Sequence, residues 1–144
     1  MSTPMGRLTA DEIKALSAKT IDARSLSYSP YSKFRVGAVL VAQDGTHIEG
    51  ANVENASYGA CICAEQTAIV KAVTTGYKQF KAIGVASSSG TYTSPCGICR
   101  QVLREFAPNI EIYMFAADGT FVMEPLTAML PHSFGPEDLD VVPE

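Results

Sequence analysis

The sequence predicts an α/β domain, a mixed sheet with flanking helices. Strand-length apolar runs alternate with segments at helical spacing, in the order helix, hairpin, helix, strand, helix, strand. No internal repeat, low-complexity run or linker interrupts this order. The 144 residues, 47% hydrophobic and 18% charged, suffice to bury a core without disulfide support, so a single domain over 1–144 is expected.

The first helix starts at Thr9, an N-cap with Glu12 three residues on, and carries Ile13, Leu16 and Ile21 on one face until the chain reaches Tyr28. Arg35 to Ala42 is an apolar, Val-rich strand. Asp44-Gly45 is a tight turn, and Thr46 to Asn52 is the antiparallel partner strand. The second helix runs over 63–75 with Ala64, Ala68, Ile69 and Ala72 at helical spacing, and stops at Gly76. Lys81 to Ala86 is a short strand, Ser87 to Ser94 a polar loop, and Cys96 to Phe106 the third helix. Ile110 to Ala116 and Thr120 to Met123 are strands around an Ala117-Asp-Gly119 turn, with a short helix over Leu126 to Leu130 and an irregular tail from Pro131.

Composition excludes several function classes. The net charge of −4 leaves no basic stripe for phosphates, so a nucleic-acid polymer is not expected as a partner and a small, nearly neutral molecule is. No stretch approaches the roughly 20 apolar residues that cross a bilayer, and Met1 to Arg7 has no apolar signal core. The expectation is a cytoplasmic, intracellular protein without a membrane partner.

All four cysteines, Cys61, Cys63, Cys96 and Cys99, fall in one part of the chain. Under reducing conditions such clustering points to metal ligands or catalytic thiols before disulfides. Cys96 and Cys99 open a helix, so both sulfurs can face one ion, and Cys63 opens another; each thiolate gains from the positive end of its helix dipole. Three protein ligands leave the fourth tetrahedral position of a zinc ion open, which is the catalytic arrangement. Glu65 lies two residues after Cys63, close enough to exchange protons with water at the metal without ligating it. Three Cys/His ligands with a nearby non-ligand Glu are the equipment for replacing an exocyclic amine by oxygen at C4 of cytosine or C6 of adenine.

Taken with Ser29-Pro-Tyr-Ser32, Phe34-Arg-Val-Gly37, Gly50-Ala-Asn-Val-Glu-Asn-Ala-Ser-Tyr58, Cys99-Arg-Gln101, Leu130-Pro and Phe134-Gly135, these motifs resemble the small homotetrameric cytidine deaminases over about residues 10–137. The resemblance implies a three-layer α-β-α fold around a mixed sheet of about five strands. It implies one zinc per chain on Cys63, Cys96 and Cys99, Glu65 as proton carrier, and deamination of cytidine and deoxycytidine in pyrimidine salvage. Phe34 would then pack on the pyrimidine, Asn52 and Glu54 would hold the ribose 3′-hydroxyl, and Ala64 would line the substrate site. Ala56 and Tyr58 would lie against a neighbour's ligand, and Phe134 would reach over a site in another chain of a homotetramer. From the residues alone, a ring at Phe34 offers a stacking face, and Asn52 and Glu54, two apart at a strand end, share one side of the strand.

Many members of that family carry Arg directly after the catalytic Glu, where this chain has Gln66. A zinc with three thiolates carries a formal −1, so loss of a nearby cation alters the acidity of water at the metal. Arg100 is the candidate replacement charge. The Cys96/Cys99 pair by itself also suits a redox dithiol or a structural zinc knuckle, and Cys61 as fourth ligand would close the site to water. The ligand set preferred here leaves Cys61 out as a small packed residue. A polynucleotide-editing deaminase needs a basic groove that the charge does not supply, and a deaminase of cytosine-containing antibiotics would lack Asn52 and Glu54. His47 and His132 are assigned no role.

Overall fold

The computed structural model describes residues 8–144. The stretch from Met1 to Arg7, read above for a signal core, lies outside the described residues. Five strands form one sheet in the order β2-β1-β3-β4-β5: β1 (Val36–Ala42), β2 (His47–Ala51), β3 (Phe80–Ser87), β4 (Glu111–Phe115) and β5 (Phe121–Pro125). Only the β3–β4 pair is parallel; the other three are antiparallel. Among the described residues four helices accompany it: α1 (Ala10–Ala23), α2 (Ala64–Thr74), α3 (Gly97–Phe106) and α4 (Leu126–Met129).

Side chains of a strand alternate between faces, and here both faces are covered. Ala38, Leu40 and Ala42 of β1 join Ile83, Val85 and the α2 residues Ala64, Ala68 and Ile69 in one core. Val39 and Val41 point the other way, to Leu16 of α1, Tyr113 and Phe115. Three layers result, as the family resemblance implied. Two-sided burial also explains why β1 reads as a continuous apolar run and not an alternating one.

The predicted α1 cap is present: Thr9 Oγ1 accepts from Glu12 N at 3.2 Å, and Glu12 Oε1 accepts from Thr9 N at 2.9 Å. Two boundaries differ from expectation in an informative way. Cys63 and Cys96 are the N-caps of α2 and α3, with extended backbone (ψ 156° and 171°), and not the first helical residues. An N-cap lies half outside the helix, so its side chain projects towards the free N–H groups of the first turn. The tail predicted as irregular contains a 3-10 turn over Pro136–Leu139, where Gly135 N donates to Asp138 Oδ2 at 2.9 Å. Further 3-10 turns at Arg24–Leu26 and Tyr58–Ala60 went unpredicted, because three residues carry too little periodicity to register.

Helix α2 lies unusually close to the sheet at Gly50. A Cβ built there would fall 2.5 Å from Ala68 N and 2.6 Å from Ala64 O, so only glycine lets β2 approach the helix that carries Cys63 and Glu65. Among the described residues, no helix is long and apolar enough to cross a membrane.

Candidate active site and metal centre

The N-termini of α2 and α3 meet beside the end of β2, bringing together sulfurs that are 33 residues apart in sequence. The ligand atoms of Cys63, Cys96 and Cys99 all lie within 4.8 Å of one another. Cys63 Sγ is 3.8 Å from Cys96 Sγ, which is 3.5 Å from Cys99 Sγ. Three thiolates on one tetrahedral zinc, each at about 2.3 Å, stand about 3.8 Å apart, so the sulfur triangle fits that ion.

Their acid–base chemistry points the same way. Burial pushes the Cys63 thiol up to about 11, and burial followed by the Glu65 and Cys63 charges pushes Cys99 up as well. For Cys96 burial acts upwards too, but hydrogen bonds from the Cys99 backbone and from the neighbouring thiols outweigh it and the thiol is held below its ordinary value. Burial thus disfavours the ionised form at Cys63 and Cys99, a cost that a cation among the three sulfurs would offset. Cys61 does not join the triangle. It is exposed, and its sulfur accepts from Asn55 N at 3.3 Å, so it is neither a fourth ligand here nor the packed residue expected.

A cavity of about 300 Å³ opens onto this cluster. Ala64, Glu65, Cys63 and Cys96 line it, as do Phe34, Asn52 and Glu54. Glu65 is only 5% exposed, and burial holds its carboxyl above the usual carboxylate range, partly countered by a hydrogen bond with the Cys99 side chain. Burial therefore favours the neutral, protonated form of this carboxyl more than exposure to water would.

Hydrogen bonds brace the Phe34, Asn52 and Glu54 part of the lining. Asn52 Oδ1 accepts from Ser27 Oγ at 2.5 Å and from Val36 N at 2.9 Å, and its Nδ2 donates to Phe34 O at 2.8 Å. The same carboxamide that faces the cavity thus fixes the backbone that carries the Phe34 ring. Glu54 Oε1 accepts from the Tyr31 and Ser32 N–H groups at 3.0 and 3.1 Å, and Oε2 accepts from the Ser32 hydroxyl. These bonds, the Ser32 hydroxyl first, hold the Glu54 carboxyl below its usual range and keep it an acceptor. Sequence reasoning did not single out Ser32 or Thr93, which lines the cavity. The Ser29-Pro-Tyr-Ser32 turn beside Phe34 was a signal for the first; nothing in the sequence pointed to the second.

Around the metal cluster, Gln66 Oε1 accepts from Cys63 N at 3.1 Å. Arginine has no acceptor and could not make this bond, so Gln66 caps α2 at the cost of a cation near the sulfurs. Arg100 directs its guanidinium to Pro95 O, Met129 O and Ser94 Oγ at 2.7–2.9 Å, all oxygens. It secures the α3 N-terminus against the neighbouring loop and α4. Ala56, Tyr58 and Phe134, which the resemblance assigned to a neighbour's site, all lie outside the cavity wall of their own chain; Tyr58 is 75% exposed and meets Tyr31 edge-on at 6.2 Å.

A three-layer α/β fold with a metal-ready thiol triangle and a buried carboxyl on one nucleoside-sized cavity defines a zinc-dependent hydrolytic enzyme. The model of the cytidine and deoxycytidylate deaminase zinc-binding region matches residues 10–115, and the chain belongs to that family. It is 41% identical over 134 residues to the cytidine deaminase of Sporosarcina psychrophila, covering 92% of this chain and 98% of that one. It is 42% identical over 123 residues to that of Halalkalibacterium halodurans, covering 85% and 93%. Among solved structures, the cytidine deaminase of Burkholderia pseudomallei superposes with a TM-score of 0.81 at 41% identity, covering 88% of this chain and all of that one.

Proposed function

We propose that this chain, as one domain with its core over about 10–137, hydrolyses the exocyclic amine of cytidine and deoxycytidine, giving uridine or deoxyuridine and ammonia, with one zinc held by Cys63, Cys96 and Cys99. The observation that carries the reading is the placement of Glu65, buried two residues after Cys63, on the same cavity that Phe34, Asn52, Glu54, Cys63 and Cys96 line. Zinc, when bound, supplies a Lewis acid that brings the pKa of water down to about 7.

The chain's own residues supply the rest. Phe34 offers a ring face to the pyrimidine, and Glu54, kept charged, accepts from a sugar hydroxyl to which Asn52 donates through its second amide hydrogen. Glu65 takes a proton from the attacking water and delivers it to the ring nitrogen, then takes the remaining proton from the new C4 hydroxyl and delivers it to the amine; the C4–N bond breaks, C4=O forms and ammonia leaves. Its burial raises its affinity for the proton it carries between these groups. The presence of the sugar-facing pair favours nucleosides over a sugarless base.

The same reading includes a homotetramer with shared active sites, acting in the cytoplasm in pyrimidine salvage. Exposed aromatics that bypass their own cavity, Tyr58 and Phe134 above all, support sharing between chains. The experiment is zinc content per chain alongside the ultraviolet change on mixing with cytidine, deoxycytidine, adenosine and free cytosine. One zinc per chain and loss of cytidine and deoxycytidine absorbance alone is the expected result. Zinc with no turnover of either nucleoside would overturn the reading.

A further inference from the structure

Phe134 stands at the end of an unusual set of restraints. It is 57% exposed, yet the chain on both sides of it is tied to α3. The backbone turns at His132 in the left-handed region (φ 53°), and from there Gln101 Nε2 donates to Phe134 O at 2.9 Å while Arg104 Nε donates to Ser133 Oγ at 2.6 Å. Arg104 also forms an ion pair with Glu137, beyond Phe134, although its own side chain is only 13% exposed. Between these contacts the guanidinium lies flat on Gly135: a Cβ there would fall 2.5–2.6 Å from its carbon and terminal nitrogens. Gly135 N is held in turn by Asp138.

An exposed aromatic does not need its flanking backbone fixed at four points for stability; surface apolar residues are commonplace without it. Fixing makes sense where the ring must arrive at another surface in one orientation, because ordering paid in advance is not paid on binding. The helix that does the fixing is α3, whose N-terminus carries Cys96 and Cys99, so metal ligands and ring are set by one rigid element.

We propose that Arg104 and Gln101 are positioning residues for the deaminase reaction: they clamp residues 133–137 so that Phe134 is presented, preorganised, to the nucleoside in a neighbouring chain's cavity. This rests on the shared-site reading above. Neither residue touches substrate. Their effect passes through the Phe134 backbone and falls on nucleoside binding.

The test is a double-mutant cycle on the zinc-loaded oligomer, reading KM and kcat for cytidine, zinc content and oligomer mass. Phe134→Ala is expected to raise KM about tenfold, the loss of one stacking contact. Arg104→Ala should raise KM several-fold with kcat within about twofold, and Arg104→Lys should recover part of the loss; in the Phe134→Ala background the Arg104 change should add little. Gln101→Ala, a smaller perturbation at an exposed position, serves the same cycle if Arg104→Ala does not fold. Additive effects of the two substitutions, or unchanged KM in the Arg104 and Gln101 variants while Phe134→Ala raises it, would overturn the clamp and leave the shared site standing. An unchanged KM in Phe134→Ala would overturn both.

Discussion

The approach of α2 to the sheet at Gly50 allows a sharp test of how the site is built. Replacing Gly50 by Ala puts a Cβ 2.5 Å from Ala68 N and 2.6 Å from Ala64 O, both backbone atoms of a helix that cannot rotate out of the way. Ordinary contact requires α2 to withdraw by about 0.9 Å. Overpacking of that size costs about 1–3 kcal/mol, offset by about 0.4–1 kcal/mol from the stiffer unfolded chain; a mid-range net of about 1–2 kcal/mol, at about 3–4 °C per kcal/mol, lowers Tm by about 3–8 °C. The larger effect is chemical. Cys63 caps α2 and Glu65 lies on its first turn, whereas Cys96 and Cys99 are set by α3, so the shift displaces one proposed ligand and the proposed proton carrier against the other two sulfurs. A displacement near 1 Å costs about 10²-fold in turnover, and a triangle with 3.8 and 3.5 Å edges loses its match to zinc. Thermal unfolding, zinc titration and kcat on the purified variant check each part. Gly50→Ala with wild-type Tm, zinc affinity and kcat would show that the helix–sheet approach does not set the site.

Other expectations follow from the same geometry. Glu65→Gln removes the proton carrier but no ligand: zinc content should stay at one per chain while kcat drops by at least about 10²-fold, and near-normal turnover would refute the role. Cys99→Ala should release metal and lower Tm, because metal binding is coupled to folding; an active variant with full zinc would refute the ligand set. Glu54→Gln should weaken competitive inhibition by uridine more than by uracil, and equal losses on both would remove its sugar contact. For pH, the Glu54 carboxyl is held low by the Ser32 hydroxyl and the Tyr31 and Ser32 N–H groups, so its charged form is favoured above its ordinary value and lost only as pH falls through the depressed one. Cytidine KM should therefore stay flat on acidification to about pH 5, and Ser32→Ala should move the rise in KM to higher pH; identical profiles would refute that coupling.

Much of this protein is legible in one dimension. The N-cap pair Thr9 and Glu12, the valine-rich β1 and the cysteine spacings are local signals, set by chain geometry over a few residues, and each reappears in the fold. Cys63, Glu65, Cys96 and Cys99 stand out as candidates because metal and proton chemistry demand particular residue types at particular spacings, and the fold brings the three sulfurs together. The sequence could not show what depends on approach between distant segments. That Gln66 turns its oxygen to the Cys63 N–H, that Asn52 braces Phe34, that Ser32 holds Glu54, that Cys61 misses the sulfur triangle by pairing with Asn55, and that Arg104 lies on Gly135 are all decided by which surfaces meet once β2, α2 and α3 pack. Residue type and spacing fix the chemistry a chain can offer; direction and distance exist only after the core has closed, because side-chain orientation is set by the packing of both faces of the sheet.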